Sequence, residues 1–152
     1  MGDRDDARGM TRLWRYNPAN QRWDSITYEL PTTPENASWV GLSEIRRAPD
    51  GAYLLIERDN RTGEYAEIKH LVRVPASALR DGRVKASETT RVDLIPHMAA
   101  TEGWISDKPE GLAIDAKGTV YLSNDNDGLD EWTGETLFQR LGAYAELFPR
   151  AE

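Results

Sequence analysis

The sequence predicts an all-β chain, a partial β-propeller of about two and a half four-stranded antiparallel blades. Three observations carry this. Apolar and polar residues alternate with a period of two along most of the chain, while the helix-like stretches are short and lack capping residues. Two hairpins, with turns at Pro49-Asp50-Gly51 and Ala116-Lys117-Gly118, superpose at an offset of 67 residues, the separation of Gly51 and Gly118. Four strand candidates lie between equivalent points of the two hairpins, so the repeating unit is a four-stranded sheet.

The composition sets the outer bounds. At 152 residues the chain is one domain by length, and 39% apolar residues with five Trp and six Tyr supply a core. A formal charge of −7 argues against nucleic acid or an anionic membrane as the main partner, because both demand a basic footprint. The absence of cysteine excludes disulfides and thiolate metal sites and leaves the redox compartment open. No apolar run is long enough for a transmembrane helix, and residues 1–10 lack the apolar segment of a signal peptide. Residues 1–10 read as a polar tail, 11–148 as the propeller portion, and 149–152 as a second tail.

The elements follow in order. Arg12–Tyr16 and Trp23–Leu30 are strands joined through the Asn17-Pro18-Ala19-Asn20 turn. Pro31–Ser38 is an aperiodic loop. Val40–Ala48 and Ala52–Glu57 flank the Pro-Asp-Gly turn, which has proline and glycine where such a turn wants them. After a polar loop, Ile68–Val74 is a strand, Pro75–Leu79 a helical turn, and the β-branched stretch Ser87–Ile95 another strand. His97–Trp104 is a linker or short helix. The second repeat hairpin then spans Asp107–Asp127, Glu135–Leu141 is a last strand, and Gly142–Glu152 holds a short helix.

The turn type predicts the register. A three-residue loop closed by Gly118 sets Leu112 opposite Leu122 and Ile114 opposite Val120, and continues to Glu110 opposite Asn124. The same frame sets Ser43 opposite Glu57. In blade terms, 12–30 are the two outer strands of one blade, 40–95 a complete blade, and 110–141 three strands of another. Such a chain is a fragment, or folds with exposed sheet edges, or completes itself by self-association through those edges.

The chemistry collects at the hairpin ends. Glu110, Asn124 and Asp125, with Asn126 and Asp127 beside them, offer the carboxylate and amide oxygens that Ca²⁺ takes. Such a cation would polarise a carbonyl or phosphoryl oxygen. The other reading is a polar turn whose Asn and Asp bond their own backbone. One repeat earlier, Glu57, Arg58 and Asp59 approach the same rim as substrate-contacting or supporting residues, joined in that role by Asn126 and Asp127. Arg58 would grip an anionic ester or phosphate, or else pair with a neighbouring carboxylate. His97 is a general-base candidate or a junction residue, and two histidines alone do not assemble a zinc site of ordinary composition. The chain has no G-x-S-x-G elbow, H-E-x-x-H, P-loop or G-x-G-x-x-G.

GLSEIRRAPDGAYLLIERDN at 41–60, KPEGLAIDAKGTVYLSNDND at 108–127 and GETLFQRLG at 134–142 resemble the esterase-like phytase family, a set of mostly bacterial β-propeller domains. The resemblance runs from about Leu13 to Gly142. It implies a propeller, an exported or periplasmic full-length protein, and metal-assisted hydrolysis of a small-molecule ester or phosphoester. Family domains are about twice as long as this chain, so the resemblance also admits a non-catalytic binding module or an inactive remnant. The PEGLA and YLSN segments are more loosely similar to calcium-dependent lactonase and strictosidine-synthase-like propellers.

Overall fold

A computed structural model describes residues 9–100, 104–125 and 136–149. Among these residues ten strands form three sheets. The first sheet holds β1 (Met10–Asn17), β2 (Arg22–Glu29) and the two-residue β6 (Arg83–Val84). The middle sheet runs β3 (Val40–Arg47), β4 (Tyr53–Asp59), β5 (Lys69–Val74), β7 (Thr90–Asp93). The third orders β8 (Pro109–Ile114), β9 (Thr119–Asn124) and β10 (Phe138–Ala143). Two short helices, α1 (Ile95–Ala99) and α2 (Tyr144–Leu147), complete the described chain.

The period-two pattern explains the stacking. Successive side chains of a strand point to opposite faces. In β4, Leu54 and Ile56 pack with Leu71, Leu112, Val120 and Leu122 towards the third sheet. Leu55, one residue out of phase, packs with Val72, Val74, Ile26 and Tyr28 towards the first. The middle sheet is therefore buried on both faces, and the three sheets stack like successive blades. Four strands in the middle sheet match the predicted complete blade.

Both repeat turns have the predicted chemistry. Gly51 and Gly118 sit at φ +85° and +82°, the left-handed region that a Cβ disfavours. Leu112 faces Leu122 and Ile114 faces Val120 as the turn predicts.

The register departs from the prediction near the open end of each hairpin. Asn124 faces Pro109, not Glu110, because a bulge intervenes between Pro109 and Gly111. Likewise Glu57 faces Leu42, not Ser43, because a bulge falls between Leu42 and Glu44. Ser43 and Glu110 are the extra residues of the two bulges, and they lie 67 residues apart, the repeat offset. The irregularity is thus a repeated feature. A bulge leaves one residue unpaired and re-aims its side chain. On β8 the local cause is legible: proline has no N–H for the ladder, and at Gly111 a Cβ would lie 2.0 Å from Ser123 Oγ.

Two smaller corrections concern the middle of the chain. The predicted strand at 87–95 is shortened to Thr90–Asp93, because residues 86–88 wind into a 3₁₀ turn. Just before that turn, β6 leaves the middle blade's segment and pairs in parallel with β2. Backbone pairing with a distant strand overrides the local pattern there.

Candidate functional site

The site is built from the last three residues of β4, whose side chains go to three different partners. Glu57 points towards the first sheet and is fully buried. Arg91 of β7 donates Nε to its Oε2 and Nη2 to its Oε1, both at 2.9 Å. Tyr28 of β2 donates its hydroxyl at 2.6 Å, and His70 Nδ1 lies 3.4 Å away. Burial pushes this carboxyl up, but the hydrogen bonds from His70, Arg91 and Tyr28 outweigh it and hold Glu57 below its ordinary range. Burial and then the Glu57 charge push the Tyr28 hydroxyl up.

Asp59 ends the strand in a second closed network. The Lys69 ammonium, also fully buried, meets Asp59 Oδ1 at 2.7 Å, Asp59 O at 2.9 Å and Arg61 O at 2.9 Å. The backbone N–H groups of Arg61, Glu67 and Ile68 donate to the same carboxylate at 3.1, 2.9 and 2.9 Å. Desolvation raises the Asp59 carboxyl, and Lys69 with these amides brings it below its usual value. Burial lowers the Lys69 ammonium despite the Asp59 charge.

Arg58, between them in sequence, faces the third sheet. Its Nη2 donates to Glu110 Oε1 at 2.6 Å and its Nη1 to Asp107 O at 3.0 Å. The Trp39 ring covers one face of the guanidinium, 4.9 Å from its centroid. Asn60 Oδ1 accepts the Ser38 backbone N–H at 2.8 Å and so ties the loop carrying Trp39 to the end of β4. Arg58 Nε is buried and has no partner among the described residues. The bulge turns Glu110 to this guanidinium and leaves the carboxylate about one third exposed. The result is a rim between two stacked sheets with one buried cation and one accessible anion.

A family model described as phytase-like, esterase-like activity of phytase, matches residues 1–128. The chain belongs to this phytase-like family. The match takes in both repeat hairpins and stops short of the 134–142 segment. Neither the curated proteins nor the solved structures contain a match to the chain.

Of the predicted residues in this phytase-like chain, Arg58 and Glu110 meet directly. That pair is the carboxylate partner expected for Arg58, but it is largely buried and spans two sheets. Asn124 closes the far strand: its Oδ1 accepts the Leu137 N–H at 2.6 Å. Asp125 is exposed, and its backbone N–H donates to Lys108 O at 2.9 Å, holding it beside the start of β8. Glu57 lies on the opposite face of β4 from Arg58, and Asp59 is enclosed by Lys69 and backbone amides. Asn126 and Asp127 fall outside the described residues. His97 lies in α1, where its carbonyl accepts a hydrogen bond from Gln139 Nε2.

Tyr28, Lys69, Arg91 and Trp39 were not singled out from the sequence. One signal was present for Lys69: it shares the strand phase of Leu71, so alternation alone puts a charge on an inward face. Such a charge needs a buried partner. Tyr28 and Arg91 act through residues far away in sequence and leave no local mark.

The fit to a cation is limited among the described residues. No three Asp, Glu or His side chains gather there at metal-holding spacing. Glu110 already shares its charge with Arg58, and the Asn124 oxygen already accepts an amide.

Proposed function

We propose that this phytase-like chain forms part of an esterase-type domain that hydrolyses a small-molecule ester or phosphoester at the Arg58–Glu110 rim. The observation that carries the reading is the pair itself: a guanidinium held under Trp39 beside a partly exposed carboxylate of the neighbouring sheet. Guanidinium matches the oxygens of a phosphate or a developing oxyanion in planar, bidentate fashion. A substrate anion would take N–H groups of Arg58 and release the Glu110 carboxylate towards the reacting centre. Lys108 stands next to Pro109 on the same rim and adds positive charge.

Calcium assistance is the finer part of this reading. Glu110, Asn124 and Asp125 would be its oxygen donors, and the ion would supply Lewis-acid polarisation. Among the described residues these donors do not by themselves make a cation shell. The substrate class and export of the full-length protein likewise rest on the family.

The test is hydrolysis of aryl esters and aryl phosphates by the purified chain, with and without added Ca²⁺. Activity that falls at least tenfold in Glu110→Gln and in Arg58→Lys supports the rim. Activity untouched by either change removes the rim from the reaction. A second reading, a non-catalytic binding module, has its own support: Glu57 and Asp59 are each fully satisfied by protein donors, as a scaffold requires. Binding of an aryl phosphate without turnover, abolished in Arg58→Lys, would select it.

A further inference from the structure

The ammonium of Lys69 is fully buried, and oxygens from the end of β4, the loop after it and the segment before β8 converge on it. Asp59 Oδ1 lies at 2.7 Å, Asp59 O and Arg61 O at 2.9 Å, and Asp107 O at 3.4 Å. An ammonium has three N–H groups, and the three nearest oxygens use all of them. Asp107 O is therefore in excess, and it accepts a shorter hydrogen bond from Arg58 Nη1 at 3.0 Å. Oxygens that outnumber the donors around one buried positive charge resemble the shell of an oxygen-bound cation more than a simple ion pair.

The walls of this cage are held by contacts that do not involve the lysine. The N–H groups of Arg61, Glu67 and Ile68 fix the Asp59 carboxylate. The Gly63 N–H donates to Ile105 O at 2.8 Å, and the Trp104 ring lies against Gly63. These two contacts tie the loop after β4 to the segment that carries Asp107.

We propose that this cage is a binding site for a monovalent cation, which the chain fills with its own Lys69 ammonium. The donor set selects the class. One carboxylate oxygen and three carbonyl oxygens balance a single positive charge. Ca²⁺ takes six to eight oxygens, so this set leaves it short of ligands. Potassium and free ammonium match both the charge and the size of the group they would replace. The cage shares no residue with the Glu110, Asn124 and Asp125 donors. Holding its cation covalently makes this corner of the molecule indifferent to dissolved ions. The same ammonium neutralises the site that positions Asp107 O, on which Arg58 rests.

The test is Lys69→Ala in the full chain, which empties the cage and leaves its oxygens. Urea unfolding of the variant and the wild type is followed while potassium or ammonium replaces tetramethylammonium at fixed ionic strength. Tetramethylammonium is too bulky for the cage and has no N–H to donate. The variant's folded-to-unfolded ratio is expected to rise about tenfold when the small cation reaches ten times its Kd. The wild type is expected to show no such rise, and Asp59→Asn in the variant is expected to remove it. Where Lys69→Ala is unfolded in tetramethylammonium alone, folding on addition of potassium or ammonium, read by circular dichroism, reports the same equilibrium. A variant that stays unfolded throughout overturns the proposal. So does an equal response in the wild type, or a response that survives Asp59→Asn. Stabilisation by Ca²⁺ in place of the monovalent ions overturns the assigned class. Rescue by n-propylammonium alone also overturns it, because the lost apolar stem, and not the cation, would then be what the cavity needs.

Discussion

Arg91 holds both oxygens of the Glu57 carboxylate, each at 2.9 Å, across two strands of the middle sheet. Glu57 is fully buried, whereas Arg91 keeps about a quarter of its side chain in solvent. The cost of losing Arg91 is therefore set by the anion left behind. Removing one partner of a buried pair typically destabilises by about 3–5 kcal/mol. Tyr28 and His70 still reach Glu57, so Arg91→Ala is expected near the lower end, about 3 kcal/mol. Arg91→Lys restores charge but not the two-pronged geometry and recovers only part of the loss. Urea unfolding midpoints check both.

Lys69 and Asp59 make the opposite experiment possible, because both are fully buried. Lys69→Met leaves Asp59 with its three backbone amides but without a counter-charge, an expected loss of about 3 kcal/mol. Adding Asp59→Asn to that background removes the stranded charge and is expected to recover about half. A double mutant that loses the sum of the two single effects would show that the residues act independently.

Acid unfolding follows from the same carboxylates. Glu57 and Asp59 are held below their ordinary values of 4.5 and 3.8 in the folded chain. A group with a depressed folded pKa stabilises above its unfolded pKa, and the contribution is lost as pH falls through the folded one. The contribution of these two carboxylates is thus expected to be complete above about pH 5 and to fall steeply below pH 4. Tyr28 acts at the other limb. Its folded pKa is raised above the ordinary 10.0, so its contribution is complete below pH 10 and declines as the pH rises beyond it. Thermal melts from pH 2 to pH 11 test both limbs, and Glu57→Gln should flatten part of the acid limb.

Gly111 allows β8 to approach β9 after the bulge. A Cβ there would meet Ser123 Oγ at 2.0 Å but Ser123 Cβ only at 3.3 Å. Gly111→Ala is expected to cost about 1–3 kcal/mol by overpacking. Because the hydroxyl is the obstacle, Ser123→Ala in the same background should return most of it. Equal melting temperatures for the single and double variants would count against that geometry.

Much of the architecture was legible in the sequence because it is written locally. Alternation marks the strands, and Gly51 and Gly118 mark the turns. Registers beyond the turns were legible only as far as the strands stayed regular. Ser43 and Glu110 broke them, and a bulge has no strong local signature beyond Pro109 and Gly111. The site was legible in composition and not in assignment. Alternation separates Glu57 from Arg58 by a whole sheet, so residues adjacent in sequence serve different interfaces. Arg91, Tyr28 and Lys69 are set by tertiary partners, which no window of sequence contains.

The two-residue strand β6 has a consequence for how this chain can be cut. It arises from the segment of the middle sheet, yet it pairs with β2, and Gly82 O accepts the Thr27 N–H at 3.0 Å. A break anywhere in the Pro31–Trp39 loop would sever the backbone without freeing the first hairpin, since residues 82–84 still hold it. Exchange of that hairpin between relatives would succeed only if this later segment travelled with it. The unit that can be inherited or recombined is therefore out of step with the sheets, and its boundary falls inside the middle sheet's own stretch of sequence.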